Sequence, residues 1–472
     1  MPPSRPTSSE RVHSALDHPV IDADGHYLEY QPALASYMRD EGIDPGTLLD
    51  GSVGLGVGTF GYVNMTQAER LARRATRTAW WPTPASNTLD LATATLPALL
   101  DERLEEFGID FAVMYGSAAL VYPLIQDDER RRAACRAVNR YSAEAFADYA
   151  HRLTPAAVIP MHTPDEAIEM LDFAVGELGL KTAMIAGFVE RPISDPNGGA
   201  YNVWWDTLGL DSLYDYDPFW QRCVDLGISI ASHGSSMGVG FRRSISNYMH
   251  NHIGHFAATS EAFAKSLFFG GVTKRFPALR VGLLEGGVHW GVGLFADLLL
   301  RWEKRNATSV VQYDPAATDG KQFAALVEKY GGRLNERASG GPSYPAKWAE
   351  DGPYDDFAGL GIESPDDLRE LFAPHFFFGC EADDPMTPAA FDRDRIPLGA
   401  HISAMFSSDI GHWDVPDMTE VLEEAYENVD KGWLDAAQFR EFVFGNVARF
   451  YTDTNPDFFR GTVVEAAVAK EV

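Results

Sequence analysis

Two side chains that commonly bind metal ions lie close together near the N-terminus. The segment Val20–His26 begins with apolar residues and ends in Asp24-Gly25-His26. Alternate side chains of a β-strand point to the same face, so Asp24 and His26 can reach one point in space. A carboxylate and an imidazole directed at one point are typical of metal sites. The sequence therefore predicts that metal chemistry begins at this strand.

Four further acidic or imidazole side chains follow apolar segments in the same way. They are His233, Glu285, Glu381 and Asp409. A charged group directly after an apolar strand is costly to bury unless it is paired or binds a metal ion. Taken singly, each residue is explained by a loop cap or a salt bridge. Their recurrence after several strands favours a shared metal centre.

Four more residues are candidates by position. His252 and His255 are three residues apart in a segment with helical periodicity, which predicts a shared helical face for metal binding. A pair of core histidines is the structural alternative. His412 follows Asp409 closely and is predicted to be a proton donor or a neighbour of the metal ligands. Asp22 is a candidate acceptor for a hydrogen bond from a ligand histidine.

The number of candidate ligands favours two metal ions. The first site would use Asp24, His26, His233 and Asp409. The second would use His252, His255, Glu285 and Glu381. Mixed imidazole and carboxylate donors suit iron or manganese. With a single zinc or manganese ion, the alternative, Glu285 or Glu381 would act as an acid or base.

Eight short apolar segments are predicted to be strands, and stretches with helical periodicity lie between them. Most lack polar alternation, which is typical of parallel strands covered on both faces. They are Pro19–Asp22, Phe111–Tyr115, Thr154–Ile159, Thr182–Ala186, Ile228–Ser232, Arg280–Leu284, Phe376–Gly379 and Ala404–Ser407. This pattern predicts an α/β fold, a (β/α)8 TIM barrel with the site at the carboxyl ends of its strands.

Long connections follow the first and sixth predicted strands, at about residues 27–100 and 306–374, and are predicted to be lids. Met418–Tyr451 is predicted to form two closing helices. Residues 1–18 are polar and rich in proline and serine, which predicts a disordered or extended tail before a single domain over residues 19–472.

The first long connection contains two distinctive segments. Gly51–Gly61 is rich in glycine, which is typical of a flexible lid. Arg70, Arg73, Arg74 and Arg77 form a cationic patch that would bind an anionic substrate tail such as a phosphate. A solvated helix face is the alternative interpretation of the patch.

The net charge of −29 argues against nucleic acid or an anionic membrane as a partner. Three cysteines form no disulfide framework, so a cytoplasmic location is expected. Gly234–Gly238 matches the G-x-S-x-G pattern of serine hydrolases, but Gly238 and Gly240 would delay the helix that this pattern requires. A barrel without catalytic activity that binds a partner is a third class of function.

The segment from Val20 to Tyr451 resembles the amidohydrolase-related TIM-barrel metalloenzymes. Ile21–His26 resembles their opening motif, with Asp24 where the first ligand histidine usually lies. His233 and Asp409 match the ligands that follow the fifth and eighth strands. The resemblance implies one divalent metal ion and activity as a hydrolase or a nonoxidative decarboxylase.

Two segments, Asn251–Phe256 and Phe378–Pro385, resemble a branch that contains the nonheme diiron monooxygenase of platensimycin and platencin biosynthesis. This resemblance implies two iron ions, O2, an electron donor and an apolar small-molecule substrate, for which a coenzyme A thioester is one candidate. The leading hypothesis is therefore an O2-dependent hydroxylase, with Glu285 and His412 as catalytic residues. A single-metal hydrolase or decarboxylase is the alternative. The oligomeric state is open, although such barrels often form homodimers.

Overall fold

The computed structural model describes residues 6–45, 65–77, 86–193, 203–314, 317–338 and 355–471. Its strands are short and lie mostly where apolar segments predict them. They are β1 Ile21–Tyr27, β2 Phe111–Gly116, β3 Leu153–Pro155, β4 Ala157–Val158, β5 Ala183–Ile185, β6 Val189–Pro192, β7 Val203–Asp206, β8 Ile230–Ser232, β9 Val281–Leu283, β10 Phe376–Cys380 and β11 Ser403–Phe406.

Helices occupy most of the connections between these strands. They are α1 Ser8–His13, α2 Gln31–Asp40, α3 Gln67–Arg73, α4 Thr88–Thr95, α5 Pro97–Arg103, α6 Asp128–Phe146, α7 Pro164–Asp172, α8 Asp217–Leu226, α9 Tyr248–His252, α10 His255–Phe269, α11 Val272–Arg275, α12 His289–Arg305, α13 Gly320–Tyr330, α14 Arg333–Arg337, α15 Pro365–Phe372, α16 Val421–Asp430, α17 Ala436–Arg440, α18 Asn446–Thr452 and α19 Glu465–Glu471. None of those described is long and apolar enough to cross a membrane.

The strands form two parallel sheets. One has the order β1-β2-β3, and the other has the order β11-β10-β9-β8-β5-β4. Every predicted strand overlaps a strand of these sheets, and the α/β class is confirmed. The antiparallel hairpin of β6 and β7 lies outside both sheets and was not predicted.

Backbone hydrogen bonds connect the two sheets. Ala156, between β3 and β4, donates to Met114 O at 3.0 Å. At the other edge, Asp409 N donates to Asp24 O at 3.0 Å, and His26 N donates to Ile410 O at 2.7 Å. These last bonds join β1 to the loop after β11 without paired strand residues. These bonds bring the edges of the two sheets together but are not strand pairing. Closure of the strands into one barrel therefore stays a prediction.

Three local differences from the predictions have clear physical causes. β1 extends beyond the segment Pro19–Asp22 to Tyr27, because all of its residues are buried and Gly25–Tyr27 pair with β2 after a shift in register. The predicted helix over Ser244–Phe269 is divided at Gly254, which has a φ of +73°. Residues 8–13 of the predicted tail are helical, since a capping box starts α1 and Ser9 Oγ accepts a hydrogen bond from Leu422 N.

The described parts of the two long connections contain helices, α2 to α5 in the first and α13 to α15 in the second. Their function as lids stays a prediction. The glycine-rich segment Gly51–Gly61 lies outside the described residues. Met418–Tyr451 is helical as predicted, but it contains three α-helices, α16, α17 and α18, where two were predicted.

Candidate metal centre

Four buried or nearly buried side chains converge at the carboxyl ends of β1, β8 and β9. Asp24 and His26 come from β1, His233 follows β8 and Glu285 follows β9. One ligand atom from each lies within 4.8 Å of the others. His26 Nε2 is 3.2 Å from both His233 Nε2 and Glu285 Oε1. These distances place imidazole and carboxylate donors around one point.

A second group overlaps the first and consists of His26, Glu285, Asp409 and His412. His412 Nδ1 is 2.7 Å from Asp409 Oδ1 and 3.1 Å from Glu285 Oε1. Because His26 and Glu285 belong to both groups, the six side chains form one continuous cluster. We call these six residues the ligand cluster.

The backbone is unusual at two members of the ligand cluster. Glu285 has a φ of +52° and Asp409 a φ of +54°, which is the left-handed region that residues with a Cβ seldom adopt. Two residues after Asp409, Gly411 has a φ of +95°. A Cβ at Gly411 would lie 2.4 Å from His26 O, so only glycine allows this close approach.

Burial dominates the electrostatics of the cluster. It raises the pKa of Asp24 to about 8 against the opposing effect of His233, and with Glu285 it raises the pKa of Asp409 well above its ordinary value. Burial also opposes ionisation of Glu285, yet His233, His26 and His412 hold its pKa well below the usual range. Burial therefore makes the ionised forms of Asp24 and Asp409 costly without a nearby cation.

These features fit a divalent metal ion. Neither carboxylate oxygen of Asp24 accepts a hydrogen bond from a described residue, although both are buried. Such atoms are costly unless a cation or a donor satisfies them. Imidazole and carboxylate donors suit manganese or zinc. A single ion shared by the cluster would bind the buried oxygens and stabilise their ionised form.

His252 and His255 lie beside the cluster but outside its two compact groups. His252 ends α9 and His255 begins α10, so they do not share the face of one continuous helix as predicted. The bend at Gly254 nevertheless brings His255 Nε2 within 3.2 Å of His252 Nδ1. His252 Nε2 is 3.9 Å from Asp414 Oδ2.

Glu381 also lies outside both groups. Burial, together with Asp414 and Glu285, raises its pKa well above the ordinary value. The remaining candidates for a second site are thus near the ligand cluster, but among the described residues they do not form a compact set of their own. Their role as metal ligands stays a prediction.

Two contacts near the cluster differ from the sequence interpretation. Asp22 was expected to accept from a ligand histidine, but it accepts from Asp24 N at 3.1 Å and from the backbone and hydroxyl of Ser408. Ser117 was not predicted, and its Oγ lies 3.2 Å from His412 Nε2. Its position directly after β2 was the available signal, because the other candidates also lie at strand ends.

Comparison with known proteins shows the family to which this sequence belongs. Residues 21–333, more than half of the chain, match the family described as amidohydrolase. The chain belongs to the amidohydrolase family. It also resembles the solved structure of an amidohydrolase from Mycobacterium avium subsp. paratuberculosis K-10, with a TM-score of 0.53 and 19% identity over 93% of this chain and all of the other. Neighbours in this superfamily imply a TIM-barrel fold.

Two curated relatives are named gamma-resorcylate decarboxylase. The protein from Polaromonas sp. strain JS666 is 26% identical over 236 residues, and the protein from Rhodococcus jostii strain RHA1 is 27% identical over 237 residues. Each alignment covers 48% of this chain and 64% of the relative. The chain therefore spans less than two thirds of the length of these relatives.

These relatives correct the leading hypothesis. The prediction of an O2-dependent diiron monooxygenase is wrong, because the named relatives are decarboxylases. Two iron ions likewise find no support, whereas one metal-binding cluster is present. The alternative, a single-metal hydrolase or nonoxidative decarboxylase, agrees better with both findings.

Proposed function

We propose that this protein is a nonoxidative decarboxylase that uses one divalent metal ion and acts on a hydroxylated aromatic acid. The observation that carries the proposal is the sharing of His26 and Glu285 between the two groups of ligand atoms. The same nitrogen, His26 Nε2, faces both groups, and an imidazole nitrogen has one lone pair and binds one ion, which favours one ion rather than two. The names of the curated relatives support decarboxylation and the class of substrate.

The ligand cluster divides naturally between metal binding and proton transfer. Asp24, His26, His233 and Glu285 would hold the metal ion. When bound, a divalent ion would neutralise the carboxylate and phenolate oxygens of the substrate. Asp409 and His412 are 2.7 Å apart, and His412 also contacts Ser117. This pair is therefore placed to hold a proton beside a substrate at the metal.

The reaction needs a proton at the ring carbon that carries the carboxylate. The carboxylate leaves as CO2 after its bond to the ring breaks, and the electron pair of that bond stays with the ring carbon. A proton from the Asp409–His412 pair would take the place of CO2 on that carbon. The step balances without an oxidant, a reductant or O2.

The test is to measure CO2 release from gamma-resorcylate, a dihydroxybenzoate, in the absence of O2. We expect about one manganese or zinc ion per chain, and activity that is lost with a chelator and restored by the ion. Asp24→Asn should lower kcat/KM by at least about 100-fold, because it removes a ligand carboxylate. Asp394→Asn, at an exposed carboxylate, is the matched control. Turnover that requires O2, or that survives complete removal of metal, would disprove the proposal.

A further inference from the structure

Six arginines lie on two segments of this acidic protein that contact each other. They are Arg70, Arg73, Arg74, Arg77, Arg242 and Arg243, and we call them the arginine face. Arg77 N donates to Ser244 O at 2.9 Å, and Arg77 Nη1 donates to Ser246 O at 2.8 Å. These bonds hold the segment that contains α3 against the loop before α9, so the two sets of arginines are neighbours.

The arginines of the face differ from several other arginines of the protein, which form ion pairs with carboxylates. Arg131, for example, pairs with Glu166, and Arg191 pairs with Asp206. Within the described ranges, no carboxylate oxygen lies within 4.0 Å of a guanidinium nitrogen of the face. Glu69, the acidic residue of α3, instead accepts a hydrogen bond from the backbone N–H of Thr66 in a capping box. Concentrated positive charge in a chain with a net charge of −29 is the expected feature of an anion site.

Arg242 connects this face with the ligand cluster. Its Nη2 donates to Gly254 O at 2.9 Å, next to His255. Ser236, in the loop that follows His233, donates to His255 O at 2.6 Å. The loop therefore begins at His233 in the ligand cluster, and its contacts place Arg242 beside Gly254 and His255, near the edge of that cluster.

One nitrogen of the Arg242 guanidinium lacks a hydrogen-bond acceptor among the described residues. This nitrogen is Nε, and it is buried. A guanidinium N–H that is removed from water without an acceptor is costly, and a phosphate oxygen is a favourable acceptor for it. This observation is independent of the charge of the surrounding arginines.

We propose that the arginine face, with Arg242 at its inner edge, is an anion subsite that binds a phosphate group on the tail of the substrate. This assignment rests on the proposed function, because it places the reacting carboxylate at the ligand cluster. The substrate class is then an aromatic acid with a phosphorylated side chain. The subsite contributes to binding, and the ligand cluster performs the reaction.

The subsite itself is tested by calorimetric titration of the full chain with inorganic pyrophosphate at low ionic strength. We expect one pyrophosphate per chain, an affinity at least about tenfold lower in Arg242→Gln, and partial recovery in Arg242→Lys. Arg73→Gln, at an exposed position of α3, should weaken binding severalfold without affecting folding. Arg460→Gln, at an exposed arginine outside the face, is the matched control.

Three results would overturn the subsite: unchanged affinity in Arg242→Gln and Arg73→Gln, equal weakening in Arg460→Gln, or pyrophosphate binding that is absent in the wild type. The subsite would also be overturned if the wild type bound no pyrophosphate but formed a dimer that Arg73→Gln abolishes. An acidic surface of a second copy would then cover the arginine face. Because Asp24→Asn should keep pyrophosphate binding, a failure of the proposed function is distinguishable from a failure of the subsite.

A second measurement distinguishes a substrate tail from free phosphate. Two dihydroxybenzoates would be compared that differ only in a side chain ending in a phosphate or a hydroxyl. We expect the phosphate to lower KM about tenfold with little change in kcat, and Arg242→Gln to remove this advantage. Equal KM values for the two acids would overturn the tail assignment and leave free phosphate as the ligand.

Discussion

Two residues of the ligand cluster have a backbone conformation that costs stability. Glu285 and Asp409 both have a positive φ, which costs about 1–2 kcal/mol for a residue with a Cβ. Both also have carboxylate side chains that are almost fully removed from solvent beside other carboxylates. Such strain persists where the surrounding structure enforces it, and it is common at functional sites. The carboxylates at these positions are therefore explained by their chemistry and not by their contribution to folding.

This strain predicts an unusual order of stability at position 285. Without metal, Glu285→Gly should be about 1 kcal/mol more stable than Glu285→Ala, because glycine adopts a positive φ without strain. At Asp24, in β1, the order should be reversed, with Ala about 0.5–1 kcal/mol more stable than Gly. Urea unfolding in the presence of a chelator measures both pairs. An alanine variant at 285 as stable as the glycine variant would contradict the proposed strain.

The sequence predicted most residues of the ligand cluster, but it predicted wrongly that they are divided between two separate metal sites. Asp24, His26, His233 and Asp409 were expected to meet because strand ends converge, and the ligand cluster contains all four. Glu285 was placed in a separate second site, yet it lies at the centre of the same cluster. Its position depends on a positive φ and on contacts between distant segments, which spacing along the chain does not reveal.

At the scale of elements, the site depends on the close crossing of β1 and the loop after β11. The two segments exchange backbone hydrogen bonds through His26 N and Asp409 N. Gly411 allows the crossing because it has no Cβ to collide with His26 O. The position of His412, which follows it directly, is therefore set by this contact.

A side chain at Gly411 should disrupt this crossing. Gly411→Ala combines an unfavourable φ with a backbone collision, and we expect a loss of about 2–4 kcal/mol of stability and weaker metal binding. Gly432→Ala is the matched control, since Gly432 has a φ of +70° but no described atom within 4 Å of the point where a Cβ would lie. Its cost should be about 1 kcal/mol, with metal affinity unchanged. Denaturant unfolding and metal titration give both values. Equal costs would show that the contact with His26 is unimportant.

Apolar segments predicted the elements because burial on both faces leaves a clear pattern in sequence. The break between α9 and α10 was not predicted, because Gly254 is tolerated within a helical pattern and its positive φ is set by its surroundings. The shift in the register of β1 between Asp22 and Gly25 was not predicted either, because it depends on the pairing with β2.

For the whole molecule, the burial of three carboxylates in the ligand cluster links folding to metal binding. Manganese that binds only the folded chain should stabilise it by about 2.7 kcal/mol at a concentration 100 times its Kd. Calorimetric unfolding should therefore show a Tm that rises with manganese and falls with a chelator. Asp24→Asn should remove most of this response. If that variant kept the full response, the stabilising ion would bind elsewhere on the acidic surface.

Ser408 and Asp22 form a direct hydrogen bond although they are 386 residues apart in the sequence. During translation, the N-terminal half of the ligand cluster emerges from the ribosome long before its C-terminal partner. A nascent chain that ends before β11 lacks Asp409 and His412, and it has no loop to hold β1 in place. Metal loading would accordingly have to wait until β11 and the loop that follows it have been synthesised.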